Sequence, residues 1–108
     1  MKAELNETLW LNERLEFSLA EFVELSGLSE KELRELVDYG ALEPTNPQAE
    51  DWTFSAQRVI SARTACRLRK DFGLDLQGLA LILIYLDKIH ELEAQLHDLR
   101  ARLPRWLR

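Results

Sequence analysis

Residues 17–42 read FSLAEFVELSGLSEKELRELVDYGAL, and the architecture follows from this stretch. Ser18 stands before Leu19-Ala20-Glu21-Phe22-Val23-Glu24-Leu25, so its hydroxyl can accept from the free amides of a helix start while Glu21 reaches back to the cap. The same signature recurs at Ser29, with Glu32 three residues on. Between them Ser26-Gly27 stops the first helix, because glycine tolerates the left-handed turn that closes a helix end. Leu33, Leu36 and Val37 give the second helix a buried stripe, and it ends at Tyr39-Gly40. Two short helices joined by Gly27-Leu28 form a helix-turn-helix.

Downstream, Leu42 to Phe54 turns loop-like, with Pro44, Asn46, Pro47 and Asp51, and closes on the alternating Trp52-Thr53-Phe54, which predicts a small hairpin or wing. Ser55 can cap a third helix, Ala56 to about Phe72, with Val59, Ile60, Ala62, Cys66 and Leu68 near helical spacing and Gly73 as its stop. Asp75 can cap a fourth that runs through Leu103 to Pro104. Upstream, Thr8-Leu9-Trp10-Leu11 and Arg14-Leu15-Glu16-Phe17 alternate in polarity and predict one or two short strands. The chain therefore divides into a helix-turn-helix unit, 1–74, and a long helix with its tail, 75–108, within one domain overall.

The fourth helix carries the clearest periodicity. Ile82, Tyr85, Ile89, Leu92, Leu96, Leu99 and Leu103 alternate spacings of three and four, which is a heptad seam. Leu79, Leu83 and Leu86 widen the apolar face in its first half, as a segment packed on its own domain requires; from Ile89 the face is too narrow for a globular core. Pairing with a second copy of the chain suits the seam better than an intramolecular amphipathic helix, because it outruns what a small domain can cover. Trp106-Leu107, beyond Pro104, reads as a flexible tail or a dimer contact, and Trp52 as an aromatic packed under the helix-turn-helix.

Composition narrows the function. The 108 residues are 46% hydrophobic and 31% charged, the balance of a folded domain and not of a disordered tail. No apolar run approaches the ~20 residues a bilayer demands, and the acids of Met1–Glu7 replace the basic end of a signal peptide, so a cytoplasmic location is expected. Cys66 is the single cysteine, and with His90 and His97 it makes no zinc-ligand spacing, so neither a disulfide scaffold nor a metal or other cofactor is expected. Cys66 reads as a small core residue, and the paired acids Glu21 and Glu24 or Glu91 and Glu93 have no nucleophile or base around them, so the chain is expected not to be an enzyme.

Charge is divided unevenly. Residues 1–50 hold 12 acidic and 4 basic side chains, a balance of −8, and residues 51–108 hold 7 acidic and 10 basic, a balance of +3. The second helix alone sets Glu30, Glu32, Glu35 and Asp38 against Lys31 and Arg34. An element of net −2 is repelled by a polyanion, so direct DNA binding is not expected of it. Arg63, Arg67 and Lys70, with Arg58 and Arg69 nearby, form a basic face on the third helix, read as a solvated face paired with the acidic front.

Phe17-Ser18-Leu19-Ala20-Glu21-Phe22, Ser26-Gly27-Leu28-Ser29, Leu33-Arg34, Gly40-Ala41-Leu42-Glu43-Pro44 and Trp52-Thr53-Phe54 together resemble the MerR-type winged helix-turn-helix family. The resemblance implies a mainly α fold with a small β wing and a long C-terminal dimerisation helix, in DNA-bending regulators joined by an antiparallel coiled coil. It departs at Glu35 and Leu36, where the DNA-binding members carry two tyrosines, and in the wing arginine missing after Pro44. A narrower similarity runs through Arg67-Leu68-Arg69-Lys70-Asp71, Leu74-Asp75-Leu76-Gln77-Gly78-Leu79-Ala80-Leu81 and Leu86-Asp87-Lys88-Ile89, and it is to the chaperone modulator family CbpM.

Members of that family are MerR-like in fold and inhibit a DnaJ-type co-chaperone, the curved-DNA-binding protein CbpA, by binding its J domain. The resemblance implies a J domain with a basic helix as partner, and leaves open whether that partner's DNA binding is inhibited too. Glu30, Glu32, Glu35 and Asp38 are the candidate partner-binding residues, against the plainer reading of a solvated helix face; Ile82, Tyr85, Ile89, Leu92, Leu96, Leu99 and Leu103 are the candidate dimerisation residues. The competing function is a MerR-type DNA-binding transcriptional regulator, and a third is an interaction domain for some other partner.

Overall fold

The computed structural model describes residues 16–107. Strand β1 (Glu16–Ser18) runs straight into helix α1 (Leu19–Ser26), and helix α2 (Glu30–Asp38) follows. Both helix starts carry the expected reciprocal caps. The Ser18 hydroxyl accepts from the Glu21 amide at 3.2 Å while the Glu21 carboxylate accepts from the Ser18 amide at 2.9 Å; for Ser29 and Glu32 the distances are 3.1 and 3.2 Å. Gly27 ends α1 at φ 90°, a conformation any side chain would strain.

Strand β2 (Thr53–Ser55), helix α3 (Ala56–Phe72) and helix α4 (Leu76–Ala101) complete the main elements, with a short 3-10 turn at Arg105–Leu107. The wing differs from the expected hairpin. β2 pairs antiparallel with β1, in the register Phe17↔Phe54, and not with a neighbour in its own loop. Pro44 and Pro47 give the loop no row of donors for a second strand. It is drawn shut by the Thr45 amide donating to the Thr53 carbonyl at 2.7 Å. The expected strand Thr8-Leu9-Trp10-Leu11, and Arg14-Leu15 of the next, lie outside the described residues.

The core forms where α1, α2, α3 and the start of α4 meet the two-stranded sheet. Phe22 and Phe54 are fully buried, their rings edge to face with centroids 4.7 Å apart, and Leu28, Leu33, Leu36, Val59 and Leu79 close around them. Beside Val59, the buried side chains of α3 are small, Ala56, Ser61, Ala62 and Ala65, which lets its backbone approach its neighbours closely. Cys66 and Ile60 pack against the edge of this core and are only partly buried.

Helix α4 is capped by Asp75, whose carboxylate accepts from the Gly78 amide at 2.8 Å. Leu79, Ala80 and Leu83 enter the core, and every residue from Glu91 to Leu107 is exposed. The helix ends at Ala101, two residues before Leu103. The last amides turn to i−3 partners, Arg102 to Leu99 and Leu103 to Arg100, each at 3.1 Å. Pro104 is the cause, since it disfavours helical backbone at the residue before it.

Candidate functional site

The acidic helix α2 lies with Leu33 and Leu36 in the core and its charges outward, but those charges have different surroundings. Glu30 accepts from Arg34 at 2.9 Å across one turn. Glu32 accepts from Arg69 of α3 at 3.1 Å while holding the Ser29 cap. Glu35 is half-buried and Asp38 exposed. Burial alone would raise the Glu32 carboxyl, but the Ser29 amide and the Arg69 guanidinium outweigh it and hold the carboxyl below its ordinary value.

Arg34, the arginine of the helix that would face a groove, is occupied within the fold. Beyond its ion pair with Glu30, its guanidinium lies 5.4 Å from the centre of the Trp52 ring. Trp52 in turn stands edge-on to Phe54, 6.3 Å away, so the aromatic expected beneath the helix-turn-helix serves as a bracket for Arg34 as well. A cleft of about 480 Å³ opens beside this pair, walled by Glu30, Glu50, Asp51, Trp52 and the cap residue Ser18. Glu50 and Asp51 were not among the expected site residues. The only sequence signal for them was their place just before Trp52, and the placement of Trp52 depends on a strand pairing 37 residues distant.

The basic face of α3 is engaged only in part. Arg58 donates to Asp87 of α4 at 2.6 Å and Arg69 to Glu32, which pairs the basic face with the acidic helix as expected for the latter. Arg67 and Lys70 remain exposed around a second hollow that includes Ser26 and Cys66. Burial pushes the Cys66 thiol above its usual range, further than Arg69 draws it down, so the thiol is not an activated nucleophile. Among the described residues no three His, Cys, Asp or Glu side chains gather to hold a metal ion. His90 lies 3.7 Å from Glu93, one turn along α4.

The seam residues stand along one side of α4. Ile82 packs against the core; Tyr85, Ile89, Leu92, Leu96 and Leu99 are between 48 and 60% exposed, and Leu103 projects from the bend beyond the helix. Leu81 and Ile84 are exposed apolar residues outside the predicted seam. Leu81 lies one turn before Tyr85, so the stripe extends further toward the head than the heptads indicated.

A profile of the MerR HTH family regulatory proteins matches residues 17–101, from β1 to the end of α4. The chain is also 36% identical over 96 residues to the chaperone modulatory protein CbpM of Escherichia coli O1:K1 / APEC, covering 89% of this chain and 95% of that one. The CbpM proteins of Escherichia coli O45:K1 (strain S88 / ExPEC) and O139:H28 (strain E24377A / ETEC) match to the same extent. The chain belongs to the CbpM family of MerR-type helix-turn-helix proteins. CbpM relatives are named as modulators of a chaperone, and the wider family as regulatory proteins, neither of them as enzymes. Among the described residues no helix is long and apolar enough to cross a membrane.

Proposed function

We propose that this CbpM-family protein is a cytoplasmic, non-enzymatic modulator that binds the J domain of a CbpA/DnaJ-like co-chaperone and blocks its co-chaperone activity. The carrying observation is the charge of α2. Where a regulator would offer a groove-reading helix, this one has net −2, and its Arg34 is engaged by Glu30 and Trp52. A basic partner helix complements that surface and a phosphate backbone does not.

Within the four acids, Glu35 and Asp38 are the best placed to meet a partner, with Glu50 and Asp51 extending the surface across the cleft. Glu30 contributes while sharing its charge with Arg34, and Glu32 acts chiefly inside the fold. The unit active in binding is a homodimer. Its head, 1–74, carries the acidic surface, and its segment 75–108 carries the seam Ile82, Tyr85, Ile89, Leu92, Leu96, Leu99 and Leu103. Fully burying an exposed leucine is worth about 1.5–3 kcal/mol, and five side chains per chain each keep about half of their surface to cover, which gives a drive to pair.

Isothermal titration against the isolated J domain, with duplex DNA as parallel titrant, tests the reading. Saturable J-domain binding that weakens with salt, and no heat with DNA, is the expected result. Reversing Glu35→Lys and Asp38→Lys together should weaken J-domain binding severalfold. Binding to DNA without binding to the J domain would return the protein to the transcriptional regulators.

A further inference from the structure

The exposed stripe of α4 does not stop at the seam. At its head end Leu81 and Ile84 join Tyr39, the C-terminal cap of α2, around a shallow groove of about 330 Å³ floored by Ala80 and Gln77. Tyr39 is 51% exposed, Leu81 52% and Ile84 42%. At the far end of the same helix, beyond the Pro104 break, Trp106 is 81% exposed and Leu107 is 51% exposed. A tryptophan buries 150–250 Å² when it is covered, and both ends of α4 present exposed apolar side chains.

We infer that Trp106 and Leu107 of one copy dock into the groove between Tyr39, Leu81 and Ile84 of a second copy, locking the two ends of a symmetric dimer. The inference rests on the dimer just proposed and adds to it a pair of end contacts. A chain cannot fill its own groove, because from Gln77 to Ala101 the straight helix runs about 36 Å.

Charge agrees with the antiparallel pairing that the family resemblance implies. The tail carries Arg100, Arg102 and Arg105 within six residues. A parallel pair would set both tails side by side, whereas an antiparallel pair carries each tail to the partner's acidic head. There the carboxylate of Asp75 caps α4 beside the groove, and the C-terminal end of α2, with its partial negative charge, ends at Tyr39. Register agrees. If the seam is paired end to end, Ile82 of one chain faces Leu103 of the other, which brings Trp106 level with Leu79, between Gln77 and Leu81. The Pro104 break releases the last residues from the helix line and lets them turn onto the partner.

Cross-linking in the full chain tests this. With Cys66→Ala to remove the native thiol, one variant keeps Trp106 and carries Gln77→Cys and Arg105→Cys beside it, and a second carries Ile89→Cys and Leu96→Cys to report the seam alone. Oxidation at low concentration should give a disulfide-linked dimer in both. A linked seam pair with an unlinked end pair would overturn the docking while leaving the dimer standing. Failure of both pairs, with a monomer mass in sedimentation, would overturn the dimer and the docking together. As a second measurement, Trp106→Ala should raise the dimer dissociation constant at least about tenfold with helical content unchanged, since each dimer loses two such contacts. An unaltered constant would overturn the docking.

Discussion

The carboxylate of Glu32 and the guanidinium of Arg69, 37 residues apart, meet at 3.1 Å and join the acidic helix α2 to the basic helix α3. The opposed charges of the two halves of the chain are thus partly matched inside one molecule. What α2 has left to offer a partner is narrower than its composition indicates. The pair is about a third exposed on the Glu32 side and a quarter on the Arg69 side, so water screens it only in part.

Replacing Glu32 by Gln removes this charge while keeping a residue that can complete the cap. The expected loss at pH 7 is about 0.5–1 kcal/mol, with a similar coupling energy to Arg69→Met in a double-mutant cycle. The Glu32 carboxyl is held below its unfolded value, so its stabilisation is fully present above the ordinary carboxylate pKa and fades as pH falls through the folded one. Urea unfolding from pH 7 to pH 3 should accordingly show the gap between native protein and Glu32→Gln closing on the acid side.

Phe22→Ala empties the centre of the core, where the ring lies edge-on to Phe54 and is wholly inaccessible. A loss of about 3–5 kcal/mol is expected, measured as the shift in the urea midpoint. Because Phe54 belongs to β2 and Phe17 opposite it to β1, the same variant should loosen the sheet, and exchange of the Phe54 amide should quicken with the global loss.

The caps at Ser18, Ser29, Ser55 and Asp75 were legible because cap chemistry is local: a hydroxyl or carboxylate a few residues from the amide it accepts is visible in the string itself. The pairing of Thr53–Ser55 with Glu16–Ser18 was not, since both strands are three residues long and nothing nearby names the partner. The same distance hid the site. Glu32 reads as one more surface acid until Arg69 is placed beside it, and Arg34 as a phosphate contact until Trp52 is placed against it. The apolar stripe of α4 was plain from spacing alone, but the groove at its head end needs Tyr39 from another helix.

If Arg34 is a bracket and not a contact for a nucleic acid, Arg34→Ala should act on stability and not on recognition. The lost interaction with Trp52 and Glu30 is worth about 0.5–1 kcal/mol. Affinity for the J domain should hold or rise at low salt, because a positive charge leaves the surface proposed to receive a basic partner. Calorimetry on the folded variant reads the second effect, and thermal unfolding the first; a severalfold fall in J-domain affinity would place Arg34 in the interface.

Leu96→Glu separates pairing from folding. Leu96 is half-exposed, and its stretch of α4 lies beyond the last core contact, so the head retains Phe22, Leu33, Leu36, Phe54 and Leu79 in place. A carboxylate at a seam position must be desolvated without a counter-charge if two copies pair through it, and that cost falls on both chains of a symmetric dimer. Sedimentation of Leu96→Glu should therefore give the monomer mass, with the head still unfolding cooperatively. Leu83→Glu serves as the contrast: Leu83 points into the core a few turns earlier on the same helix, and there the same substitution should unfold the head outright. A Leu96→Glu variant that kept the dimer mass would show that the two copies meet by some other face.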